Sequence, residues 1–192
     1  MASNSLPVYT LCMLLVCISS LQTVVMANGS PKCDCRLCFT VYRHEIRGGP
    51  NNTILLTVGT SPAAWGSYVV YDNMMKEGQS ADSTLLGKIT GSAVVTSKGG
   101  ILAGGIQTVF QHNFGPGSVY NGSSLNIIGT AATQTPPWEL IVPGGTGCFR
   151  GYSGFVLAQP IPSATVGPLV VSKWDFCLFQ QFHFKKDFHC PM

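Results

Sequence analysis

Residues 169–178 read LVVSKWDFCL, and from Lys173 to Leu178 a large apolar residue occupies every second position. A period of two residues places these side chains on one face of an extended chain, as in a β-strand. The same alternation, rich in Val, Ile, Thr and aromatic residues, marks further segments: 39–46, 53–57, 67–71, 91–97, 101–110, 124–128 and 155–158, with 139–142 as an additional strand. This pattern predicts an all-β protein.

Short turn clusters separate the predicted strands, such as GGPNN at 48–52, KGG at 98–100 and PGGTG at 143–147. Short connections favour antiparallel pairing, because parallel strands need long crossovers. Seven to nine such strands in one domain predict a sandwich or a barrel. The sequence contains no amphipathic stretch of twelve residues and no repeat at solenoid or propeller spacing.

The composition indicates a folded protein that does not bind nucleic acid. Of the 192 residues 45% are hydrophobic and 10% are charged, whereas about a quarter are charged in an ordinary soluble domain. Disordered chains have the opposite balance, with high charge and low hydrophobicity. The net charge is only +3, and Lys and Arg are scattered along the chain, which argues against a nucleic acid partner.

The first 27 residues have the pattern of a signal peptide. They carry no charged side chain, and the apolar run at 11–18 is too short to span a membrane. Val25 and Ala27 suit the recognition positions of a cleavage site, so we expect the mature chain to begin at Asn28. An uncleaved anchor is the alternative, since no Lys or Arg precedes the apolar run. Cleavage would leave a secreted protein with no membrane attachment.

Six of the eight cysteines follow residue 27, three of them in the Cys-rich leader 28–38. An even number in a secreted chain predicts disulfides, although the pairing cannot be derived from the sequence. A zinc site is the alternative, and its ligands would come from Cys33, Cys35, Cys38, His183, His189 and Cys190. The second half of a zinc motif is missing, so we predict no metal. The sequons at Asn51 and Asn121 predict glycans on exposed turns.

Four segments carry a family resemblance: YRHEI at 42–46, LGKITG at 86–91, YNGSSLNIIG at 120–129 and GGTGCFR at 144–150. Their order and spacing resemble the plant dirigent proteins over residues 39–178, leaving 179–192 as a C-terminal tail. The resemblance implies an eight-stranded antiparallel β-barrel like that of allene oxide cyclases. It also implies secretion to the apoplast, the plant cell wall, and a homo-oligomer, either a dimer or a trimer.

The resemblance further implies an auxiliary role in lignan biosynthesis. Family members steer the coupling of two phenoxy radicals from a monolignol such as coniferyl alcohol, and a separate laccase or peroxidase performs the oxidation. The sequence has no P-loop and no GxSxG motif, and the glycines at 144–147 lack the GxGxxG spacing, so we predict no cofactor. An eight-stranded barrel is wide enough to hold one small ligand.

Glu45 and Asp72 are the candidate catalytic acids. Glu45 matches an aspartate of the family's His-Asp pair, and Asp72 matches the first of two consecutive aspartates, the second being replaced by Asn73. A buried acid could assist ring closure by protonating a quinone methide. Period two places His44 on the face opposite to Glu45 and places Arg43 beside Glu45, where an ion pair would keep the acid ionised. The alternatives are structural roles for Glu45 and for His44.

The candidate substrate-binding residues, Arg43, His44, Cys148 and Ser153, come from matching family positions. Cys148 and Ser153 stand where lignan-forming members carry an acid and an arginine. We expect Cys148 to form a disulfide rather than to act as a reactive thiol. These replacements keep open a non-catalytic cell-wall or defence module that binds a phenolic or a glycan. A cyclase that needs no oxidant is a further alternative, because the barrel resembles that of allene oxide cyclases.

Overall fold

Nine strands dominate residues 36–132 and 135–181, which are the residues that the computed structural model describes. The strands are β1 Arg36–Ile46, β2 Ile54–Val58, β3 Tyr68–Lys76, β4 Leu85–Val94, β5 Ile106–Phe114, β6 Ser124–Ala131, β7 Trp138–Thr146, β8 Tyr152–Pro160 and β9 Leu169–Gln180. One helical turn, α1 Ile101–Gly104, and two 3-10 turns, Gly147–Phe149 and Pro162–Ala164, connect them. No helix in the described ranges is long and apolar enough to cross a membrane.

The strands close into an eight-stranded antiparallel barrel, which confirms the predicted fold. The order around the sheet is β1, β9, β8, β7, β6, β5, β4, β3, and β1 then pairs with β3 to complete the ring. β1 contacts only the end of β3, where Tyr42 lies opposite Lys76 and His44 opposite Met74. β2 pairs with the first half of β3. It therefore lies beside the part of β3 that β1, which ends at Ile46, does not contact.

Two predicted strand boundaries are wrong for identifiable reasons. Residues 101–104 form α1 instead of a strand, because Gly105 adopts a φ of 70° and its N–H bonds to the carbonyl of Ile101, which closes a helical turn. The other case is the hairpin of β3 and β4, which extends well beyond the segments 67–71 and 91–97. Polar and glycine residues interrupt the apolar pattern there, and pairing between the two strands overrides it.

Aromatic side chains fill one end of the barrel interior. Phe39 of β1 stacks on Phe176 of β9 with ring centroids 5.0 Å apart. Phe114, Tyr120 and Phe149 complete this cluster, each with its ring centroid within 6.0 Å of that of Phe39. The opposite end, where β1 ends and β9 begins, is therefore the end at which the interior can remain open.

A disulfide joins β1 to β9 on the outer face of the barrel. The register places Cys38 directly opposite Cys177, and the two sulfurs are bonded. Cys148 is disulfide-bonded as well, so the prediction of disulfides is confirmed for these residues. The predicted signal peptide at 1–27, most of the leader 28–38 and most of the tail 179–192 lie outside the described residues. The barrel itself extends slightly beyond the predicted domain 39–178, from Arg36 to Gln180.

Candidate functional site

A cavity of about 620 Å3 occupies the open end of the barrel. Aromatic side chains form much of its wall: Tyr71, Phe110, Trp138 and Trp174. Charged groups are few and converge on one side, where Arg43, Glu45 and Arg47 lie. Small-molecule sites have this volume and this mixture of an apolar wall with a few polar groups.

Glu45 lies buried in the cavity wall and accepts contacts from three donors. Arg47 donates from Nε to Oε1 at 2.6 Å, and Arg43 Nη1 lies 3.3 Å from Oε2. The amide of Asn73 donates to Oε2 at 3.4 Å. Both oxygens of Glu45 are therefore occupied as acceptors by donors of the protein. Arg43 and Glu45 lie together on the inner face of β1, as expected for two residues that are two positions apart on one strand.

Arg43 extends from β1 into the cavity, where its side chain is 11% exposed. The guanidinium carbon lies 5.6 Å from the ring centroid of Trp174 and 5.9 Å from that of Phe110. Guanidinium groups stack well on aromatic faces. Its Nε is buried and has no hydrogen-bond partner within residues 36–132 and 135–181. Arg43 is thus held in place by aromatic rings and retains unused donor capacity.

Tyr71 supplies a phenol to the cavity wall. Burial raises its pKa to about 12, with the Glu45 carboxylate raising it further and Arg43 and Arg47 opposing. The side chain therefore remains protonated at neutral pH and can donate a hydrogen bond. Its ring packs against Phe110 at a centroid distance of 5.4 Å. Tyr71 is not among the site residues predicted from the sequence, although the alternation at 67–71 places it on the inner face together with Val69.

Asp72 does not line the cavity, so its role as a catalytic acid stays a prediction that this placement does not support. Its carboxylate pairs with Lys88 at 2.8 Å, and its side chain is 58% exposed. Neighbouring residues of a strand point to opposite faces, so the inner position belongs to Asn73. Asn73 is fully buried, accepts from the Thr53 hydroxyl at 2.6 Å and donates to Glu45. An amide at this position orients Glu45 but cannot act as a proton donor of useful acidity.

His44 is buried on the outer face of β1 and does not line the cavity. Its Nε2 lies 2.9 Å from the carbonyl oxygen of Gly78, which ties β1 to the turn after β3. Burial lowers the pKa of His44. This placement favours the structural alternative, and the assignment of His44 to substrate binding stays a prediction that the cavity does not support.

Cys148 and Ser153 lie at the aromatic-filled end of the barrel, away from the cavity. Cys148 belongs to the 3-10 turn after β7 and is disulfide-bonded. Ser153 lies opposite Phe179 at the start of β8. Neither residue lines the cavity, so this placement does not support their assignment to substrate binding, which stays a prediction. The turn directions explain this: β7 begins at the cavity with Trp138 and carries the chain to the other end.

His112 forms part of the packed layer between the cavity and the aromatic cluster. Its ring lies 5.0 Å from that of Trp174 and 5.2 Å from that of Phe176, centroid to centroid. Neither ring nitrogen has a hydrogen-bond partner in the part of the chain that the structure describes. Burial lowers the pKa of His112 to about 3, and the positive charge of Arg43 contributes. A lone histidine within an alternating strand gave no signal of this role.

The two remaining predictions concern glycans and metals. Asn51 and Asn121 both lie on exposed turns, where a glycan could be attached, and glycosylation stays a prediction. Within residues 36–132 and 135–181 no group of three His, Cys, Asp or Glu side chains could hold a metal ion.

Sequence relatives carry the names of dirigent proteins and pterocarpan synthases. Dirigent protein 7 of Arabidopsis thaliana is 33% identical over 123 residues, which cover 63% of this chain and 64% of that protein. Pterocarpan synthase 1 of Glycyrrhiza echinata is 28% identical over 124 residues, covering 62% of this chain and 64% of the relative. The chain therefore matches just under two thirds of the length of either relative.

Solved structures share the fold. Two pterocarpan synthase dirigent proteins superpose with a TM-score of 0.65 at 24% identity, covering 77% and 78% of this chain and 92% and 98% of theirs. A pyocyanin demethylase superposes with a TM-score of 0.51 at 12% identity, over 74% of this chain and 99% of that one. The barrel alone therefore does not specify a reaction. The family model for dirigent-like proteins matches residues 37–176, and this chain accordingly belongs to the dirigent family.

Proposed function

We propose that this protein binds a phenolic substrate in the cavity and steers the coupling of its phenoxy radical, with a separate laccase or peroxidase as the oxidant. The observation that carries this proposal is the 620 Å3 cavity with Tyr71, Trp138 and Trp174 in its wall. Flat aromatic walls offer stacking surfaces for a phenol ring, and the few polar groups fix its orientation. Membership of the dirigent family supports the same function.

Positioning is the chemistry that such a cavity can contribute. Two phenoxy radicals couple with almost no barrier, so the product depends on which atoms and faces are presented to each other. The phenol of Tyr71 can donate a hydrogen bond to the substrate oxygen, because its raised pKa keeps it protonated. The protein therefore needs no cofactor of its own for this role. Monolignols such as coniferyl alcohol, the precursors of lignans, are the first substrates to test.

A second candidate function is ring closure without an oxidant. It is favoured by the relatives that are named pterocarpan synthase. Closing a ring onto a quinone methide requires a proton at the methide oxygen. Tyr71 is the better-placed donor for that step, because both oxygens of Glu45 already accept hydrogen bonds.

Oxidant dependence separates these functions. The purified mature protein is incubated with coniferyl alcohol, with and without laccase, and the products are resolved by chiral chromatography. Steered coupling gives an enantiomeric excess only when laccase is present. Ring closure is tested separately, without laccase, on a para-hydroxybenzylic alcohol that carries a second hydroxyl group, because loss of water from it gives the quinone methide without any oxidation. A cyclised product that forms faster with the protein than without it would favour ring closure instead. Racemic products together with measurable binding of the alcohol would overturn steering of this substrate and favour the non-catalytic binding module.

We also propose that the protein is secreted to the apoplast and self-associates as a dimer or trimer. The disulfide between Cys38 and Cys177 supports an oxidising compartment. Self-association is supported by an outer stripe of three apolar residues in direct register across β5, β6 and β7, namely Val109, Ile128 and Ile141. Each of the three side chains is 47–63% exposed, and together they form a contiguous apolar patch. Contiguous apolar patches on a protein surface mark interaction sites.

A further inference from the structure

The charged groups of the cavity do not balance. The charged residues in the lining are Arg43, Glu45 and Arg47, which leaves one positive charge in excess at neutral pH. Tyr71 adds no negative charge, because its phenol is protonated there. The rest of the wall is mainly aliphatic and aromatic.

Arg43 has hydrogen-bond donors that do not contact Glu45. The shorter contact of Glu45 is with Arg47, at 2.6 Å, whereas Arg43 approaches at 3.3 Å through a single nitrogen. Only one terminal nitrogen of Arg43, Nη1, contacts Glu45, so Nη2 keeps its N–H groups for a guest. The Nε is buried and has no partner within the described ranges, and the guanidinium lies over Trp174. The terminal nitrogens of Arg47 lie on a side chain that is 59% exposed, at the mouth of the cavity. Two arginines therefore converge on one carboxylate and retain N–H groups for a second.

We propose that the cavity selects an aromatic guest that carries a carboxylate, such as a phenolic acid, over the corresponding neutral alcohol. This inference rests on the proposed binding of a phenolic and specifies its chemical class. A guest that fills the cavity displaces solvent from Arg43. If the guest is neutral, the excess positive charge is left in apolar surroundings, which is costly. A carboxylate balances that charge, and the planar guanidinium can bind it through two parallel hydrogen bonds.

Glu45 does not oppose this selection. Its two oxygens are already occupied by Arg47, Arg43 and Asn73, so its negative charge is compensated within the wall. With a carboxylate guest the cavity holds two positive and two negative charges. The aromatic part of the same guest can pack on Trp138 and Trp174 while its anionic end reaches the arginines.

Ferulate and coniferyl alcohol test the inference, because they differ only in a carboxylate against a hydroxymethyl group. Binding to the mature protein at pH 7, where a carboxylic acid is ionised, is followed by calorimetry and by quenching of tryptophan fluorescence. We expect ferulate to bind at least tenfold more tightly than the alcohol. Arg43→Leu, which keeps a similar volume, should reduce this preference to less than threefold.

Two further variants complete the design. Arg36→Leu is the matched control, because Arg36 lies over Phe179 at the other end of the barrel, and it should keep the wild-type preference. Arg47→Leu changes a largely exposed side chain and should fold even if Arg43→Leu does not. It should lower the preference for ferulate severalfold.

Each outcome decides the inference. Equal affinity of the wild-type protein for the two ligands overturns it, and so does a preference that survives in every arginine variant that folds. If neither ligand binds, the proposed function fails together with it. If only the alcohol binds and its coupling is steered, the proposed function stands and the inference fails.

Discussion

The Nε of Arg47 lies 2.6 Å from Oε1 of Glu45, although the arginine side chain is 59% exposed and that of the glutamate only 1%. Arg47 follows the last residue of β1. Its positively charged side chain extends from the turn after that strand back to Glu45 in the cavity wall. Together with Arg43 it holds a carboxylate at the edge of an apolar cavity. Glu45 therefore anchors two cations, and its role as a catalytic acid stays a prediction that these contacts do not favour.

Replacing Glu45 with Gln should lower the free energy of unfolding by about 3 kcal/mol. The reason is that the largely buried guanidinium of Arg43 loses the negative charge that balances it. Asp72→Asn is the matched control, since it removes an exposed partner of Lys88 and should change stability by about 0.5 kcal/mol or less. Chemical denaturation monitored by tryptophan fluorescence gives both values. Equal stability of Glu45→Gln and wild type would contradict the role assigned to the carboxylate.

Tyr71→Phe should leave the fold intact and remove a tyrosine that titrates near pH 12. The difference in alkaline absorbance titration between wild type and variant reports this group directly, since an ordinary tyrosine titrates near pH 10. Because the folded-state pKa is raised, the stability that Tyr71 contributes is fully present below about pH 10 and is lost as the pH rises towards 12. A difference titration centred at pH 10 would show that the phenol is solvated and not part of an apolar wall.

His112 should make the barrel sensitive to mild acid. Its pKa is lowered to about 3 in the folded state, so its contribution to stability is present above about pH 6.5 and is lost as the pH falls towards 3. Denaturation at pH 7 and pH 5 should differ by about 2 kcal/mol through this residue. His112→Phe, which keeps a ring beside Trp174 and Phe176, should remove most of that difference. An unchanged difference in the variant would assign the acid sensitivity to other groups.

Ile141→Lys should convert the proposed oligomer into a monomer. The substitution puts a charge at the most exposed position of the outer stripe, 63% exposed on the outer face of β7 and away from the cavity. Light scattering coupled to size-exclusion chromatography measures the mass of each form. Leu102→Lys, at an exposed apolar residue of α1 outside the stripe, is the control and should keep the oligomer. A monomeric wild type, or an oligomer unaffected by Ile141→Lys, would exclude the stripe as the interface.

Strand periodicity accounts for much of the fold and for part of the site. It predicts that Arg43 and Glu45 share one face of β1 and that His44 lies on the other, and the structure agrees because a regular strand fixes side-chain direction. Which of the two faces lines the cavity does not follow from the alternation. Continued through β3, the same alternation directs Tyr71 inward and Asp72 outward. The assignment of Asp72 to the site rests on family position, which does not contain this alternation.

Other features depend on contacts that local patterns do not contain. Arg47 lies beyond the end of β1, and its approach to Glu45 follows from the path of a turn. Cys148 and Ser153 were placed by resemblance alone, and which end of the barrel they occupy depends on the whole order of the strands. His112 acquires its environment from Trp174 and Phe176, which are more than sixty residues away in sequence.

The proposed function requires that the aromatic-walled cavity steer phenolic coupling. The most direct test is the enantiomeric excess of coniferyl alcohol products formed by laccase in the presence of the wild-type protein or of Ala131→Trp, which fills the cavity beside Ile106 and Trp138. We expect an excess with the wild type and racemic products with the filled variant, both proteins being folded by circular dichroism. An equal excess with both proteins would contradict the claim that this cavity holds the substrate, and racemic products with both would contradict steering of this alcohol.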